Sequence, residues 1–484
     1  MTISLKAGAS ALALALAAQG AFAQDIQIEN ADWWQEAGAK FDGVTIRGVT
    51  ESTPPSNFVT DVIAPKFEEL TGIRVEIETT SWDQMYDKAI KDMEAGTGIY
   101  DVVYIEQDIV YSYLSRDFLV DMTAALEENS DLQAPGYSED NFTTFADYFR
   151  GENGDLFGVP MEAFIKIYLY RTDLFDDEEI RAAFQEQTGR ELEPAKTHEE
   201  YAEIAEFFTQ YFQEQGEDIW GTTAQAHTGH PASWYEYVES ILPTFGVYNW
   251  GINADEDYAA TVEHGGEMNS DTAKEALTWW LSMRDIAPPE SVQSTWTEVA
   301  TTFAAGRAAQ GLVYGENAAW IASDENQSRV VGNVGVALPP VEDGVMEEIE
   351  AGNGYIGYYD GGAFGIPVSS NNHEAALLFA QFLALPDLQE EWALAAPRIT
   401  LTSTYDSERV QQLDEDLGGY FSMMRDDGAL FQGAPPYPFH AQVREAVAPI
   451  FYSILTGSTG VDEGLDQMAE RAEQELTNLG YRTN

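Results

Sequence analysis

The first part of the chain alternates strand-like and helix-like stretches, and this order constrains the fold most. "GVTIRGVTES" (Gly43–Ser52) is predicted to be a strand, "IRVEIE" (Ile73–Glu78) shows the two-residue alternation of a half-buried strand, and "YDVVYIEQD" (Tyr100–Asp108) begins as a nearly continuous apolar run. Helical patterns fill the intervals around Asn57–Thr71 and Trp82–Ala95. This order predicts a doubly wound α/β unit with a parallel sheet.

Ligands of such sheets bind outside the carboxyl ends of the strands. The loops that follow the predicted strands are therefore the expected binding region. They are residues 50–57, Trp82 with its neighbours, and residues 106–108.

A second unit is predicted from "GVPMEAFIKIYLYRTDLF" (Gly158–Phe175) onward. Its middle has helical spacing, two later strands are predicted, and the last part is helical. The predicted helices are Glu199–Gln215, Ser233–Leu242, Thr272–Ile286 and Val461–Leu479, and the predicted strands are Ala309–Tyr314 and Val334–Pro340.

The stretch "GGAFGIPVSSNNHEAALLFAQFLALP" (Gly361–Pro386) contains no obvious chemistry. Ile366 and Val368 alternate as in a short strand, and Asn371 with Glu374 has the spacing of a capping box. An apolar helix follows, and Pro386 is expected to end it.

The first residues have the pattern of a secretory signal peptide. Lys6 precedes the apolar run Ala11–Ala18, and Ala21–Ala23 has the small-residue spacing of a cleavage site. We expect a mature chain from about Gln24, exported and soluble, because no later stretch is long and apolar enough for a membrane span. The sequence contains 0 Cys, so neither disulfides nor a lipid anchor on cysteine are expected.

The chain is strongly acidic, with 83 Asp and Glu against 24 Lys and Arg and a formal net charge of −59. Such a field argues against nucleic acids and anionic membranes as partners. An acidic surface suited to a saline habitat and a protein that binds a cation both remain open.

The usual parts of a catalytic or metal site are missing. There is no Cys, no G-x-S-x-G elbow and only 6 His, of which His227 and His230 are close in a Gly-containing loop. The glycine clusters do not match phosphate or dinucleotide fingerprints, so no metal and no cofactor is predicted. Carboxylates are too abundant to single out a catalytic pair, and a secreted glycoside hydrolase remains a rival hypothesis.

Tryptophan and tyrosine offer an apolar face and a polar edge, which suits sugars. Trp279 and Trp280 lie in an amphipathic helix and are assigned to the core. Trp234 and Trp250, near the Gly/Pro-punctuated "SILPTFGVYNWG", are ligand candidates.

Eight motifs occur in order behind the signal peptide and together resemble one family. They are "FEELTGIRVEIE" (Phe67–Glu78), "AGTGIYDVVYIEQD" (Ala95–Asp108), Gly158–Phe175, "THEEYAEIAEFF" (Thr197–Phe208), "FAAGRAAQGLVYG" (Phe303–Gly315), "GVALPPV" (Gly335–Val341), Gly361–Pro386 and "PRITLTSTYD" (Pro397–Asp406). The mature chain resembles the extracellular solute-binding proteins of carbohydrate ABC importers, family 1, the group of the maltodextrin-binding protein.

The resemblance implies two doubly wound α/β lobes joined by a hinge of several crossings, the type 2 periplasmic binding protein fold, with ligand in the cleft between the lobes. The expected crossings are near Gly158–Glu162, Gly335–Pro340 and Pro386–Arg398. The expected domains are a signal peptide (1–23), an N-terminal lobe (24–158 plus 338–386) and a C-terminal lobe (159–337 plus 387–484).

Ligand positions in the first lobe are carried over from the family one by one. The end of "DVVYIEQD" implies Asp108 with Glu106 beside it. The loop after the first strand implies Glu51, Ser52 and Asn57, and Trp82 lies in the loop after the second strand.

Further positions lie within "GVYNWG" and directly after "LVYG". Tyr248 is where the family often has a stacking aromatic residue, with Trp250 as its alternative. After "LVYG" the family commonly has a tryptophan; here Glu316 and Asn317 follow and the tryptophan comes at Trp320. This departure favours a smaller, more polar ligand than a maltodextrin.

Four later residues complete the predicted site. Tyr359 and Asp360 are expected on a loop of the first lobe that faces the cleft. Arg398 is either a ligand donor or part of a structural ion pair, and His440 either binds a hydroxyl or is a satisfied histidine at a helix start.

The implied function is a periplasmic, monomeric binding protein that delivers a sugar, polyol or short oligosaccharide to a membrane permease without converting it. A charged solute, such as a glycerol-phosphate or a polyamine, is the alternative. An anionic ligand requires basic side chains, for which Lys166 and Arg398 are the few candidates.

Overall fold

The computed structural model describes residues 26–483, so the predicted signal peptide (1–23) lies outside the described residues. The chain forms two compact units. The first contains the described residues up to Ala163 together with Gly361–Gln411, and the second contains Phe164–Asp360 together with the residues from Gln412 onward. Between residues 26 and 483, no helix has the length and apolar character needed to cross a bilayer.

The strands are short, and the five that the sequence analysis predicted with bounds lie close to those bounds. They are β1 (Thr45–Glu51), β2 (Arg74–Thr80), β3 (Val102–Glu106), β4 (Gly158–Pro160), β5 (Phe164–Arg171), β6 (Gln310–Tyr314), β7 (Val334–Ala337), β8 (Tyr359–Asp360) and β9 (Gly362–Gly365).

Helices make up most of the remaining structure, and Trp82–Ala95 and Val461–Leu479 have the predicted bounds. The α-helices are Ala31–Gly38, Pro54–Phe58, Ala64–Thr71, Trp82–Ala95, Gln107–Leu114, Met122–Glu128, Thr172–Phe175, Glu178–Thr188, His198–Gln215, Pro231–Tyr235, Leu242–Thr244, Asp271–Met283, Trp296–Ala304, Ala318–Ser323, Val345–Glu350, His373–Leu383, Pro386–Ala395, Glu408–Asp416, Tyr420–Asp427, His440–Leu455 and Val461–Leu479. Val59–Ile63 and Glu236–Ile241 are π-helical, and the longer 3-10 helices are Thr144–Phe149, Pro289–Gln293 and Thr402–Asp406.

The first unit is built on one sheet with the order β2-β1-β3-β9-β4. β1 pairs in parallel with β2 and β3, as the sequence pattern predicts. β9 runs antiparallel between β3 and β4. β3 and β4 therefore point the same way, and their carboxyl ends meet at one edge with that of β1.

The stretch Gly361–Pro386 differs in detail from its prediction. The strand is formed by Gly362–Gly365 instead of Ile366 and Val368, and Val368 is 52% exposed. No capping box forms, because Asn372 is the N-cap of helix His373–Leu383 and makes no side-chain cap bond. Pro386 begins the next helix instead of ending this one, since proline suits the first helical position.

The second unit has its sheet centred on β5, with β6 and β7 on either side and β8 paired to its beginning. All of these pairs are antiparallel. β6, β7 and β8 therefore run in the same direction, opposite to that of β5.

The unit boundaries differ from the predicted lobes in three places. Residues 338–360 belong to the second unit, because β8 pairs with β5 and Val341 bridges Thr197. Residues 387–411 belong to the first unit, where the Trp392 indole donates to the Pro55 carbonyl (3.2 Å). Residues 159–163, including the end of β4, also belong to the first unit.

Aromatic side chains dominate the cores. In the first unit Trp34 and Phe67 contact Phe382 at ring-centroid distances of 5.0 and 5.2 Å. In the second unit one cluster surrounds Trp234 and another contains Phe184 and Phe208. Burial of each such side chain stabilises the fold by about 1.5–3 kcal/mol.

Candidate functional site

Three carboxylates come together at the carboxyl edge of the first sheet. Glu51 is the last residue of β1, Glu106 is the last residue of β3, and Glu162 lies two residues beyond β4. Because these strands end on the same edge, the three side chains approach a common point next to Tyr104.

Tyr104 is the centre of this group. Its hydroxyl donates to Glu162 and lies 3.2 Å from Glu106 Oε1. Complete burial, and then the negative charges of Glu162, Glu106 and Glu51, hold the pKa of Tyr104 well above its usual range. Tyr104 therefore stays protonated and acts as a hydrogen-bond donor among carboxylates.

Gly361 and Gly362 make this arrangement sterically feasible. A Cβ on Gly362 would lie 2.0 Å from a ring carbon of Tyr104. A Cβ on Gly361, whose φ is +139°, would lie 2.2 Å from the Glu162 carbonyl oxygen. The glycine pair thus allows β9 to begin directly against the Tyr104–Glu162 contact.

Glu162 is 1% exposed and accepts from two hydroxyl groups. Besides Tyr104, the Thr53 hydroxyl donates to Glu162 Oε2 (3.3 Å). Burial raises the pKa of Glu162 to about 6, although the two hydroxyl donors and the charge of Arg398 act in the opposite direction. Thr53 also caps helix Pro54–Phe58 by accepting from the Ser56 amide (3.2 Å), which fixes the loop after β1.

An aromatic stack borders the carboxylates. The Trp82 indole N–H donates to Glu106. Its ring stacks on Tyr86 at 5.8 Å and 11°, and Tyr86 stacks on Tyr113 at 6.3 Å and 3°. Trp82 is half-buried, so this edge combines a carboxylate with an apolar ring face.

The structure thus brings three of the predicted first-lobe residues together, namely Glu51, Trp82 and Glu106. Ser52 and Asn57 are exposed on the loop and helix after β1, and Asp108 is half-buried in the first turn of helix Gln107–Leu114. These three residues remain predictions. Tyr104, Thr53 and Glu162 were not predicted, and the pattern "GVPME" (158–162) would have indicated Glu162 had β4 been recognised as parallel to β3.

Trp234 and Trp250 were predicted to contact ligand, and the structure corrects this. Both belong to the hydrophobic core of the second unit, with 0% and 1% exposure. Their rings pack edge to face at 5.6 Å, and the Trp250 indole donates to Glu239 Oε1 (3.2 Å). Trp234 lies in helix Pro231–Tyr235 and Trp250 in the 3-10 turn Asn249–Gly251, and both rings are buried in this core.

Tyr248, Glu316 and Asn317 lie near the surface of the second unit. Tyr248 is half-buried against Tyr355, with ring centroids 4.8 Å apart. Glu316 and Asn317 follow β6 and are half-buried, and the Trp320 indole donates to Asn317 Oδ1 (2.9 Å). Trp320, which comes later in the sequence than the usual tryptophan of the family, thus helps to fix the position of the Asn317 side chain.

Tyr359 and Asp360 were expected on a loop of the first lobe, and this placement is wrong. They form β8 in the second unit, opposite Ile165 and Phe164 of β5. Both are buried, and Asp360 accepts from the Tyr358 hydroxyl.

Arg398 is a structural residue of the first unit. It is 0% exposed, its Nε donates to the Met161 carbonyl (2.5 Å), and Nη1 bonds Gln389. The guanidinium carbon lies 3.6 Å from the Trp392 ring centroid. Arg398 thereby positions the chain just before Glu162.

His440 begins helix His440–Leu455 and is 3% exposed. Its Nε2 lies 2.8 Å from the Pro435 carbonyl, and its ring packs on Trp250 at 4.6 Å. His440 is thus a buried histidine at a helix start.

Lys166, the other candidate cation, is also enclosed. It lies on β5 with 1% side-chain exposure, and its ammonium donates to Glu236 (2.5 Å). It also sits 3.7 Å from the Tyr314 ring centroid. Within residues 26–483 no group of three His, Asp or Glu side chains is arranged to hold a metal ion.

Comparisons with known proteins agree with this architecture. The model of the bacterial extracellular solute-binding protein family matches residues 63–416. A comparison with functionally curated protein sequences finds no significant match.

Solved structures give the same result for the fold. An ABC transporter solute-binding protein from Agrobacterium radiobacter, solved with ribitol, is 20% identical with a TM-score of 0.70 over 90% of this chain and 99% of that one. One from Agrobacterium vitis with D-mannitol is 18% identical with a TM-score of 0.71 over 90% and 99%. Maltose-bound MalE3 from T. maritima is 18% identical with a TM-score of 0.70 over 89% and 100%. The chain therefore has the fold of type 2 periplasmic binding proteins and belongs to the bacterial extracellular solute-binding protein family.

Proposed function

We propose that this solute-binding protein binds a neutral polyol, sugar or short oligosaccharide and delivers it unchanged to the permease of an ABC importer. The observation that carries the proposal is the group of Glu51, Glu106 and Glu162 around the Tyr104 hydroxyl, bordered by Trp82. Carboxylates accept hydrogen bonds from sugar hydroxyls, and an indole face packs against C–H groups.

The ligands named for similar structures support the same class. They are ribitol, D-mannitol, maltose and α-D-tagatose. The departure from the maltodextrin pattern at Glu316 and Asn317 favours the smaller members of this set. We propose Asp108, Ser52 and Asn57 as further ligand contacts in the first unit, and Tyr248, Glu316 and Asn317 in the second.

The two basic candidates argue against an anionic ligand such as a glycerol-phosphate. Lys166 is paired with Glu236, and Arg398 is held by backbone and Gln389. Recruiting either for a phosphate would leave a buried group without its present partner. One similar structure was solved with glycerophosphocholine, so a charged solute is kept as the second candidate.

The proposed location is the periplasm, reached through the predicted signal peptide, and the proposed state is a monomer. Binding without conversion is part of the proposal. A secreted glycoside hydrolase would release sugar from glycosides, whereas a binding protein returns its ligand intact.

A thermal-shift screen tests the proposal. The panel is ribitol, D-mannitol, α-D-tagatose and maltose, with glycerophosphocholine and spermidine as charged comparisons. A ligand at 100 times its Kd adds about 2.7 kcal/mol to the free energy of unfolding. Stabilisation by a charged compound alone would favour the second candidate, and release of sugar from a glycoside would overturn the proposal.

Site variants then test the assignment. Glu106→Gln and Asp108→Asn should each reduce the shift produced by the best ligand. The matched control is Glu152→Gln, because Glu152 is an exposed carboxylate of the same unit. If Glu106→Gln leaves the shift as large as Glu152→Gln does, the strand edge is not the binding site.

A further inference from the structure

The chain contains two Asn-Gly pairs, one in each unit. They are Asn153–Gly154 and Asn353–Gly354, and both asparagines are exposed. Asparagine is among the thermolabile residues of proteins, and glycine as the next residue offers the least steric hindrance to a reaction at its backbone nitrogen. The two pairs differ in how the fold holds that nitrogen.

Asn153–Gly154 is locked in a tight turn. The Gly154 amide donates to the Gly151 carbonyl (2.9 Å), and the Gly151 amide donates to the Asp155 carbonyl (2.9 Å). An antiparallel bridge between Arg150 and Leu156 closes the turn. The nitrogen of Gly154 is therefore engaged as a donor, and its backbone has little freedom to rotate.

Asn353–Gly354 follows the end of helix Val345–Glu350. The Gly352 and Asn353 amides donate to the Ile349 and Glu348 carbonyls (2.9 Å each), a pattern that ends a helix with a left-handed glycine. Among residues 26–483 no hydrogen bond from the Gly354 amide is seen. The Asn353 carboxamide donates only to the exposed Glu348 carboxylate (2.8 Å), a contact that water can replace.

We propose that Asn353–Gly354 is a site of spontaneous deamidation and that the turn protects Asn153–Gly154. The Gly354 amide loses its proton to base, and its nitrogen attacks Cγ of Asn353. The new C–N bond forms as the Cγ–Nδ2 bond breaks, and ammonia leaves after taking up a proton. One water then opens the cyclic imide at either carbonyl and yields aspartate or isoaspartate.

The location gives this modification a consequence for the proposed site. A Cβ built on Gly354 would lie 1.9 Å from the Tyr248 hydroxyl, so the backbone at Gly354 is in close contact with that side chain. Isoaspartate lengthens the backbone by one carbon and adds one negative charge. The isoaspartyl form should therefore displace Tyr248, which is a proposed ligand contact, or the loop 351–355.

The test is peptide mapping by mass spectrometry after incubation of the folded full-length protein at mildly alkaline pH. The peptide with Asn353 should convert about fivefold faster than the peptide with Asn153. Fivefold is the factor that corresponds to a typical net hydrogen bond, which Gly154 must break before it can attack. Equal conversion of the two peptides, faster conversion at Asn153, or no conversion at Asn353 would overturn the proposal.

The urea-unfolded chain is the internal control. Without the turn, both Asn-Gly pairs should convert at similar rates, so the ratio found for the folded protein should disappear. A ratio that persists in urea would mean that the neighbouring residues cause it instead of the fold, and the proposal would fail. Asn353→Gln should abolish the reaction at this position, because attack by the Gly354 nitrogen would then require a larger ring.

Discussion

Two buried carboxylates, one in each unit, are stabilised in different ways. Glu236 of the second unit is neutralised by Lys166 at 2.5 Å. Glu162 of the first unit accepts from the hydroxyls of Tyr104 and Thr53, and no Lys, Arg or His of the described residues forms an ion pair with it. Hydroxyl donors remove less of the cost of burying a charge than a cation does.

The difference follows from the positions of the charged residues on their strands and helices. In the first unit parallel strands deliver Glu51, Glu106 and Glu162 to one edge, where like charges gather around a donor. In the second unit the antiparallel strand β5 carries Lys166 into the interior against helix-borne Glu236. The first arrangement is suited to ligand hydroxyls, and the second is suited to stability.

The largest loss of stability is expected when the ion pair between Lys166 and Glu236 is broken. Lys166→Met leaves Glu236 as an uncompensated buried charge, so the free energy of unfolding should fall by about 3 to 5 kcal/mol in urea denaturation. Lys166→Met combined with Glu236→Leu should recover most of this loss.

The matched control for this variant is Lys40→Met. Its pair with Asp131 has side-chain exposures of 43% and 74%, so the change should cost far less stability than Lys166→Met. If Lys166→Met is no more harmful than Lys40→Met, the two units do not differ in the way described.

Trp234 of the second unit and Trp82 of the first should differ in what their removal does to stability and to ligand binding. Trp234→Ala should lower the free energy of unfolding by about 3 to 5 kcal/mol, because the side chain is 0% exposed in the core. Ligand-induced stabilisation should remain in any Trp234 variant that folds.

Trp82→Ala should lower the free energy of unfolding less than Trp234→Ala does, but it should reduce the stabilisation produced by the best ligand. Thermal melting with and without that ligand measures both effects. A larger loss of stability for Trp82→Ala than for Trp234→Ala would contradict the assignment of Trp234 to the core.

The sequence carried more information about the first unit than about the second. The order of strands and helices placed the carboxyl edge, because alternating strands and helices predict a parallel sheet, in which the carboxyl ends of the strands meet. It did not reveal Glu162, since β4 has only three residues and its neighbour β9 comes from a distant part of the chain.

In the second unit, the sequence did not distinguish aromatic residues of the core from aromatic residues that contact ligand. Trp234 and Trp250 stand among Gly and Pro, as ligand residues often do. Their burial depends on contacts with the distant helix His440–Leu455, because Trp234 packs on Phe451 and Trp250 packs on His440. Composition could not separate these cases, because tryptophan suits both a core and a sugar.

His198 should make the stability of the second unit depend on pH. Its ring stacks on Phe245 and contacts Trp279, both at 4.2 Å, and burial lowers the pKa of His198 to about 3. The unfolded chain takes up a proton near pH 6.5 that the folded protein refuses, so stability falls as the pH drops below 6.5. The loss should reach about 2 kcal/mol near pH 5.

His198→Phe, which keeps a ring in the stack, should abolish this contribution. Urea denaturation between about pH 7 and pH 5 measures it. An unchanged acid slope in His198→Phe would show that His198 is protonated in the folded protein.

Glu162 should change the free energy of unfolding with pH in the opposite direction to His198. The unfolded carboxyl titrates near pH 4.5 and the folded one near 6, because burial raises the pKa of Glu162. Between these values the folded protein holds a proton that the unfolded chain has lost. The contribution of Glu162 is therefore complete below pH 4.5 and is lost as the pH rises through 6, about 2 kcal/mol in total.

Glu162→Gln removes this titration, so of the two groups only His198 should still change the stability between pH 4.5 and 6. In the wild type the slopes of His198 and Glu162 oppose each other across this window, so each becomes visible only in the variant that lacks the other. His198→Phe should therefore lose stability as the pH rises, Glu162→Gln should gain it, and the double variant should do neither. A double variant that keeps the slope of either single variant would contradict the assignment, because the titrating group would then lie elsewhere.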